Sequence, residues 1–312
     1  VKTSLLLTQS RDPTADYIQI AFKRNKKPIS RINLDDFFIP KLSIDPLQRD
    51  NGWIEDSKGK KVKVNNVEAI ILRRPSIPNL HEDEAKNRFL SREILFGLRA
   101  FLEATSAIWM NHPDSNSVAS SKPRNLWLAS SLGLKVPQTF LSSDPIEIST
   151  WLKGQKKSVI KAISYGLIEG KNSAEMAFTQ RIPKSFNVDE NIIPGVPIFL
   201  QEEIEKEADI RVTIVGNKVF SAILVQEGDQ IDWRVRGSDA KWEPYKLPKS
   251  ICNACTKLCN ELQLEFAAID LVKSISGDYF FLELNPSGQW VWIEEETGLP
   301  ISDAIVDRLS NS

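Results

Sequence analysis

Residues 266–290 read FAAIDLVKSISGDYFFLELNPSGQW, and the fold turns on how this stretch pairs with itself. Ser276 and Gly277 between two apolar runs are a hairpin signal. With those two residues as the loop, Ile275 pairs with Asp278, and counting back sets Asp270 opposite Glu283 on one face, Cβ atoms roughly 4.5–5.5 Å apart. Asn285 lies two residues beyond Glu283 and shares that face. Like charges facing across a ladder are destabilising, and Phe266, Ile269, Leu271, Phe280, Phe281 and Leu282 make the surroundings apolar, so a cation is expected between the carboxylates. Two carboxylates and an amide oxygen are hard ligands of the kind Mg²⁺ takes, together with water and phosphate oxygens. A solvated outer hairpin face is the plain alternative, and the rest of the chain has to decide.

A chain of 312 residues has room for two or three domains with sizeable cores. Its 41% hydrophobic and 26% charged content is that of a folded globular protein and excludes disorder as the main state. A formal net charge of -1 gives no global attraction to nucleic acid or to an anionic membrane, so neither is expected as a partner. No run of eighteen apolar residues occurs, and VKTSLLLTQSRDPTADY has too short an apolar stretch for a signal peptide, so a first core strand and a cytoplasmic location are expected. Cys252, Cys255 and Cys259 fall on one face of a helical pattern, where unpaired thiols act as small hydrophobes, and three thiolates without a fourth ligand make a poor zinc site. With His81 and His112 as the only histidines, histidine metal sites and Ser-His-Asp triads have almost no material.

Strands and helices alternate in the first third: TSLLLTQ, then helical PTADYIQIAFKRN, the strands KPISRINL and VEAIILRRP, an amphipathic helix from about Glu82 to Thr105, and the strand AIWMN. This predicts an α/β domain with a mainly parallel sheet over 1–113, closed by the polar stretch HPDSNSVASSKP. A central subdomain over 114–197 and a strand-rich C-terminal subdomain over 198–312 follow, the latter holding IFLQEEI, DIRVTIVG, KVFSAILVQE, the cysteine helix, the hairpin and a terminal helix in ISDAIVDRLSN. Between Ser164 and Pro197, Gly166 and Gly170 and the strand-like MAFTQRI suggest a two-stranded flap with rotatable glycines at its base; an ordinary surface hairpin fits as well.

Several charges interrupt apolar strands. Lys161 sits in SVIKAI, where a buried ammonium needs an anion. Lys122 stands between a serine-rich loop and a helix, placed to reach a ligand or simply to be solvated. Asp209 and Arg211 in DIR share a strand face, a spacing suited to a carboxylate that buttresses a phosphate-binding guanidinium, and DWRVRG adds Arg234 and Arg236. Lysines and arginines followed by a carboxylate, carboxylate and amide triplet make up a nucleoside triphosphate site with metal. No Walker A pattern and no kinase signature occurs, so ATP would be handled by another architecture.

The order Lys122, Lys161, QEEI, DIR, Asp270, ELN resembles the ATP-grasp superfamily, and within it the microviridin-type ATP-grasp peptide maturases, or graspetide synthetases. RRP (Arg73–Pro75), WMNHP (Trp109–Pro113), the run KPRNLWLASSLGLKVPQTFLSSDP from Lys122, DIRVTIVG, DWR and ELNPSGQWVWIEEETGLPI carry the likeness over nearly the whole chain. The tryptophan-rich continuation after ELNP is the most specific of them. The resemblance implies a fold of α/β and α+β type, an ATP-grasp core preceded by an N-terminal α/β pre-ATP-grasp domain. It implies ATP and Mg²⁺ as cofactors, with Lys122 and Lys161 on phosphate, and Gln201, Glu202, Glu203 and Ile204 as the adenine hinge through backbone groups of Glu203 and Ile204. Asp209 belongs to the same nucleotide-binding set, Asp270, Glu283 and Asn285 would hold the metal, and Arg211 and Arg234 would lie near the γ-phosphate and acyl phosphate.

The implied reaction activates Asp or Glu side chains of a ribosomal precursor peptide, leader plus core, and joins them to Ser or Thr hydroxyls or Lys amines; the flap region would help to bind the leader. Two other functions share the motifs: a ligase that adds a free amino acid to a peptide or protein terminus, and a non-catalytic nucleotide and peptide binder. A homodimer stays open, because no feature of the sequence identifies an interface.

Overall fold

The first strand, β1 (Thr3–Thr8), is buried along its whole length, as its apolar TSLLLT run requires of a strand covered on both faces. The computed structural model describes residues 2–35, 40–73, 76–164, 166–169, 174–188, 193–225, 228–234 and 240–310. Arg74 and Pro75 of RRP, Gly170, Arg236 and parts of the expected flap lie outside them. Asp12 opens α1 (Pro13–Arg24) by accepting the Thr14 and Ala15 amides, satisfying donors that the first helical turn leaves unpaired. β2 (Ile29–Asn33) follows, then a small antiparallel sheet of β3 (Leu42–Ser43), β4 (Trp53–Glu55) and β5 (Lys61–Lys63) that the sequence pattern did not announce. Strands of two and three residues carry too little alternation to be seen. β6 (Val67–Leu72), α2 (Glu84–Glu103) and β7 (Ile108–Met110) complete a parallel sheet of order β2-β1-β6-β7.

The polar stretch after β7 is not a loop. It forms α3 (Pro113–Ala119), capped by His112 Nδ1 and opened by Pro113, and α4 (Lys122–Ser131) follows directly. Proline at the first helical position and a cap residue before it outweigh a serine-rich composition. β8 (Thr139–Ser142), α5 (Pro145–Lys153) and β9 (Ser158–Lys161) come next; then β10 (Leu167–Glu169) and β11 (Ala174–Met176) pair as a two-stranded antiparallel sheet in the region read as a flap. β12 (Gln180–Arg181) returns to the edge of β9, and β13 (Ile198–Glu202) runs between β9 and β8. The sheet order is β12-β9-β13-β8, so sheet membership carries the central unit past residue 197 to Glu202.

The second large sheet has order β16-β15-β14-β17-β18, from β14 (Lys206–Val215), β15 (Lys218–Val225), β16 (Glu243–Pro244), β17 (Phe266–Ser274) and β18 (Tyr279–Asn285). Asp270 does pair with Glu283, but by another route than a two-residue turn. The Ser274 amide bonds to Asp278 O, so the loop is Ile275, Ser276 and Gly277, the last at φ +85° where an L side chain is strained. A bulge at Leu282, between the Asp270–Glu283 and Leu271–Phe281 pairs, takes up the extra residue.

Under this sheet lies α6 (Lys249–Glu261), with Cys255 and Cys259 fully buried and Cys252 half-buried, all three free. Burial raises the Cys255 thiol to about 12 and moves Cys259 the same way, so both are inert packing groups. α7 (Val291–Thr297) and α8 (Ile301–Ser310) end the chain. One core joins the two ends of the chain: Leu6, Ile18 and Phe22 pack with Trp290, Ile301 and Ile305. No helix among the described residues is long and apolar enough to cross a membrane.

Candidate active site

The C-terminal sheet presents Arg211 from β14, Asp270 from β17 and Glu283 and Asn285 from β18 on neighbouring positions of one face. Arg211 Nη1 donates to Asp270 Oδ1 at 2.7 Å, and its Nη2 donates to Gln289 O at 2.8 Å. Asp209, expected to buttress Arg211, instead accepts two bonds from Lys206 Nζ, at 2.8 and 2.7 Å. The same-strand spacing was correct, but Asp270 sits directly across the ladder from Arg211, closer than a residue two positions along β14.

Cations close the site from a helix, the other sheet and a loop. Lys122, at the start of α4, stands 3.6 Å from Glu283 Oε2 and donates to Ala162 O at 2.7 Å. Lys161, at the end of β9, donates to Gln201 Oε1 at 2.7 Å. Gln201 is buried and is held in turn by Thr139, so its side chain aims Lys161. Arg234 is gripped by Asp232, with Nε to Oδ1 at 2.8 Å, and its charge reaches both Glu283 and Asp270.

The electrostatics follow from this crowding. Burial, above all, raises the Asp270 carboxyl; Arg211 opposes the shift and Glu283 adds to it. Burial pushes Glu283 up as well, but Lys122, Lys161 and Arg234 together outweigh it and hold Glu283 below its ordinary value. The two carboxylates titrate as a pair, with Asp270 pushed up and Glu283 held down. Burial lowers Lys161 to about 8, with Glu283 resisting and Lys122 assisting. The Asp270 and Glu283 side chains keep 20% and 32% of their exposure, enough to be reached from solvent.

The connector after β13 also takes shape. The Glu202 amide bonds to Gln138 O and the Glu203 amide to Lys157 O, so Glu203 does not offer its N–H to a base. Among the described residues no hydrogen bond takes the Ile204 amide. The Glu203 carboxylate is bound by Arg181.

Four residues that shape the site were not singled out from the sequence. Asp232 was visible, two positions before Arg234. Gln289 joins the site to α1 by accepting from Thr14 Oγ1 at 2.7 Å. Asn111 is buried after β7; its amide nitrogen donates to Phe266 O and Pro286 O while its oxygen accepts from the Glu265 and Phe266 amides. Arg181 follows MAFT with no local signal. The last three act across 22 to 275 residues of chain, a separation that no local pattern encodes.

The model of the RimK-like ATP-grasp domain matches residues 119–309. A probable alpha-L-glutamate ligase of Vibrio atlanticus is 29% identical over 218 residues, covering 67% of this chain and 69% of that protein. The macrocyclase MdnC of Microcystis aeruginosa, solved with the precursor peptide MdnA, superposes with TM-score 0.86 at 27% identity, covering 99% of this chain and 100% of that one. A RiPP-associated ATP-grasp ligase of Chryseobacterium gregarium, solved with ADP and a leader and core peptide, shares the fold at TM-score 0.88 and 23% identity, over 100% of this chain and 97% of that one.

Proposed function

The chain belongs to the RimK-like ATP-grasp family and is an ATP-grasp ligase, and on that premise we propose that it closes rings in a ribosomally made precursor peptide. One observation carries the reading. A facing carboxylate pair ringed by Lys122, Lys161, Arg211 and Arg234 sits in a chain that superposes on a peptide macrocyclase with TM-score 0.86 over 99% of its length.

The donor set fits Mg²⁺. Asp270 and Glu283 face each other with Asn285 beside them, and all three are oxygen donors of the kind Mg²⁺ takes. Bound by these three residues, Mg²⁺ would neutralise phosphate charge during transfer. Lys161 and Lys122 supply positive charge to the phosphates, Gln201 keeps Lys161 aimed, and the Ile204 amide with the Glu203 carbonyl frames adenine. Arg211 orients Asp270, and Asp232 holds Arg234 where charge develops on the transferred group.

In the proposed reaction the γ-phosphoryl of ATP passes to an Asp or Glu side-chain carboxylate of the peptide. A Ser or Thr hydroxyl or a Lys amine of the same peptide then displaces phosphate and loses its proton. The sum is a ring minus one water, with ADP and phosphate released. Both reacting groups belong to one bound chain, and that proximity supplies much of the rate.

The test is intact mass spectrometry of a short peptide encoded beside the gene, incubated with the protein, ATP and Mg²⁺. Loss of one water per ring is expected, abolished in Glu283→Gln with peptide binding retained. A gain of one amino-acid residue when free glutamate is supplied would replace this function with terminal amino-acid addition.

A further inference from the structure

Arg181 has two partners whose bonds solvent-exposed ion pairing does not explain. It lies on β12 at the edge of β9, and its guanidinium is used on two sides. Nε and Nη2 bind both oxygens of Glu203, at 2.8 and 2.7 Å for the shorter contacts. Nη1 and Nη2 bind the two oxygens of Asp229, at 2.6 and 2.5 Å. Paired contact along two edges is the geometry in which arginine specifies position as well as charge. The Glu203 side chain is 8% exposed and Asp229 81% exposed. A surface carboxylate such as Asp229 adds little stability through an ion pair, so this arm is better explained by the placement of its loop.

That loop, residues 228–234, carries Asp232 and Arg234. It meets the segment just before β12 at further points: the Arg234 guanidinium lies over the Phe178 ring at 5.5 Å, and the Asp232 carboxylate accepts a hydrogen bond from the Thr179 backbone amide. Phe178, Thr179 and Arg181 thus hold Arg234, Asp232 and Asp229 in antiparallel order. At its other edge Arg181 holds Glu203, in the connector assigned to adenine.

We propose that Arg181 is a positioning residue that couples the adenine-holding connector at Glu203 to the loop bearing Asp232 and Arg234, so that nucleotide binding sets the loop for transfer. The proposal rests on the nucleotide site described above but not on the identity of the peptide product.

Hydrogen exchange over residues 228–234, with and without ADP and Mg²⁺, tests it alongside calorimetric ADP affinity. In the wild type ADP is expected to slow exchange in this segment. Arg181→Gln should remove the slowing and weaken ADP about tenfold, by leaving the mostly buried Glu203 carboxylate without its arginine in the connector assigned to adenine. Asp229→Asn, altered only at an exposed carboxylate, should remove the slowing while ADP affinity stays within about twofold. Arg181→Lys keeps the charge without the two-sided fork and should restore less than half of the protection. Equal slowing in wild type and Arg181→Gln overturns the proposal, and so does complete rescue by lysine. ADP-dependent slowing lost in these variants, together with no dehydrated peptide from the wild type, would leave the coupling standing and remove the macrocyclisation function alone.

Discussion

Lys161 shows how a single residue can be tuned by its setting. Its neighbours along the strand, Ser158, Val159 and Ile160, made burial legible in the sequence, but Gln201, the group that positions it, is forty residues away. Burial holds its pKa near 8, against an ordinary value of 10.5. The charged form binds phosphate, so ADP affinity should be flat below pH 8 and fall as pH rises through it. Lys161→Arg, which stays charged, should move that break out of the range, and calorimetry from pH 6.5 to 9.5 reads both curves. An unchanged break in the arginine variant would assign the titration elsewhere. The stability sign is opposite: between pH 8 and 10.5 the unfolded chain binds the extra proton, so this residue's contribution to stability rises with pH across that window. Arg211 teaches the limit of local reading, because its carboxylate comes from across the ladder, at Asp270, and the nearby Asp209 is taken by Lys206.

The hairpin of β17 and β18 extends the lesson to elements. Counting from an assumed two-residue turn reached the Asp270–Glu283 pair because two departures cancel: the loop has one residue more than assumed, and the Leu282 bulge restores the count. The apolar alternation was legible; the bulge was not, since nothing in FFLEL marks the unpaired residue. The turn that follows β18 is equally constrained. A Cβ on Gly288 would stand 2.4 Å from Ala268 Cβ, closer than side chains approach, and 3.0 Å from Arg211 Nη2, a tight contact to which the guanidinium must yield. Gly288→Ala should therefore lower stability by about 1–3 kcal/mol and reduce turnover by displacing Arg211. Because the first clash is with Ala268, adding Ala268→Gly should recover most of the thermal midpoint. Failure of the double variant to recover would mean that the turn, and not the side-chain clash, sets the cost. The helix ends show the converse, for His112 and Pro113 cap a helix where a serine-rich composition had suggested a loop.

At the scale of the molecule, the parts that the sequence suggested as separate share their interior. The core that contains Leu6, Ile18 and Phe22 of the N-terminal unit also contains Val215, Phe266, Trp290 and Ile305 of the C-terminal one. Asn111 fastens the same seam with bonds to Phe266 and Pro286, one residue beyond the last proposed metal ligand. Periodicity located the strands of this core and the helices at Pro13–Arg24 and Ile301–Ser310, though not the one at Val291–Thr297, and could not say that their apolar faces meet, because such packing leaves no mark at spacing 2 or 3.6. A shared core couples unfolding of its halves. Urea unfolding should therefore give one transition, with tryptophan fluorescence and far-ultraviolet circular dichroism coincident. Asn111→Ala leaves buried backbone groups of Phe266 and Pro286 without partners and should cost roughly 2–4 kcal/mol at about 1–3 kcal/mol per orphaned group, shared unevenly. If the seam is as continuous as the packing indicates, that variant shifts the midpoint of both signals together. Separation of the two curves would show instead that the N-terminal sheet unfolds by itself, and that the site on β17 and β18 stands without it.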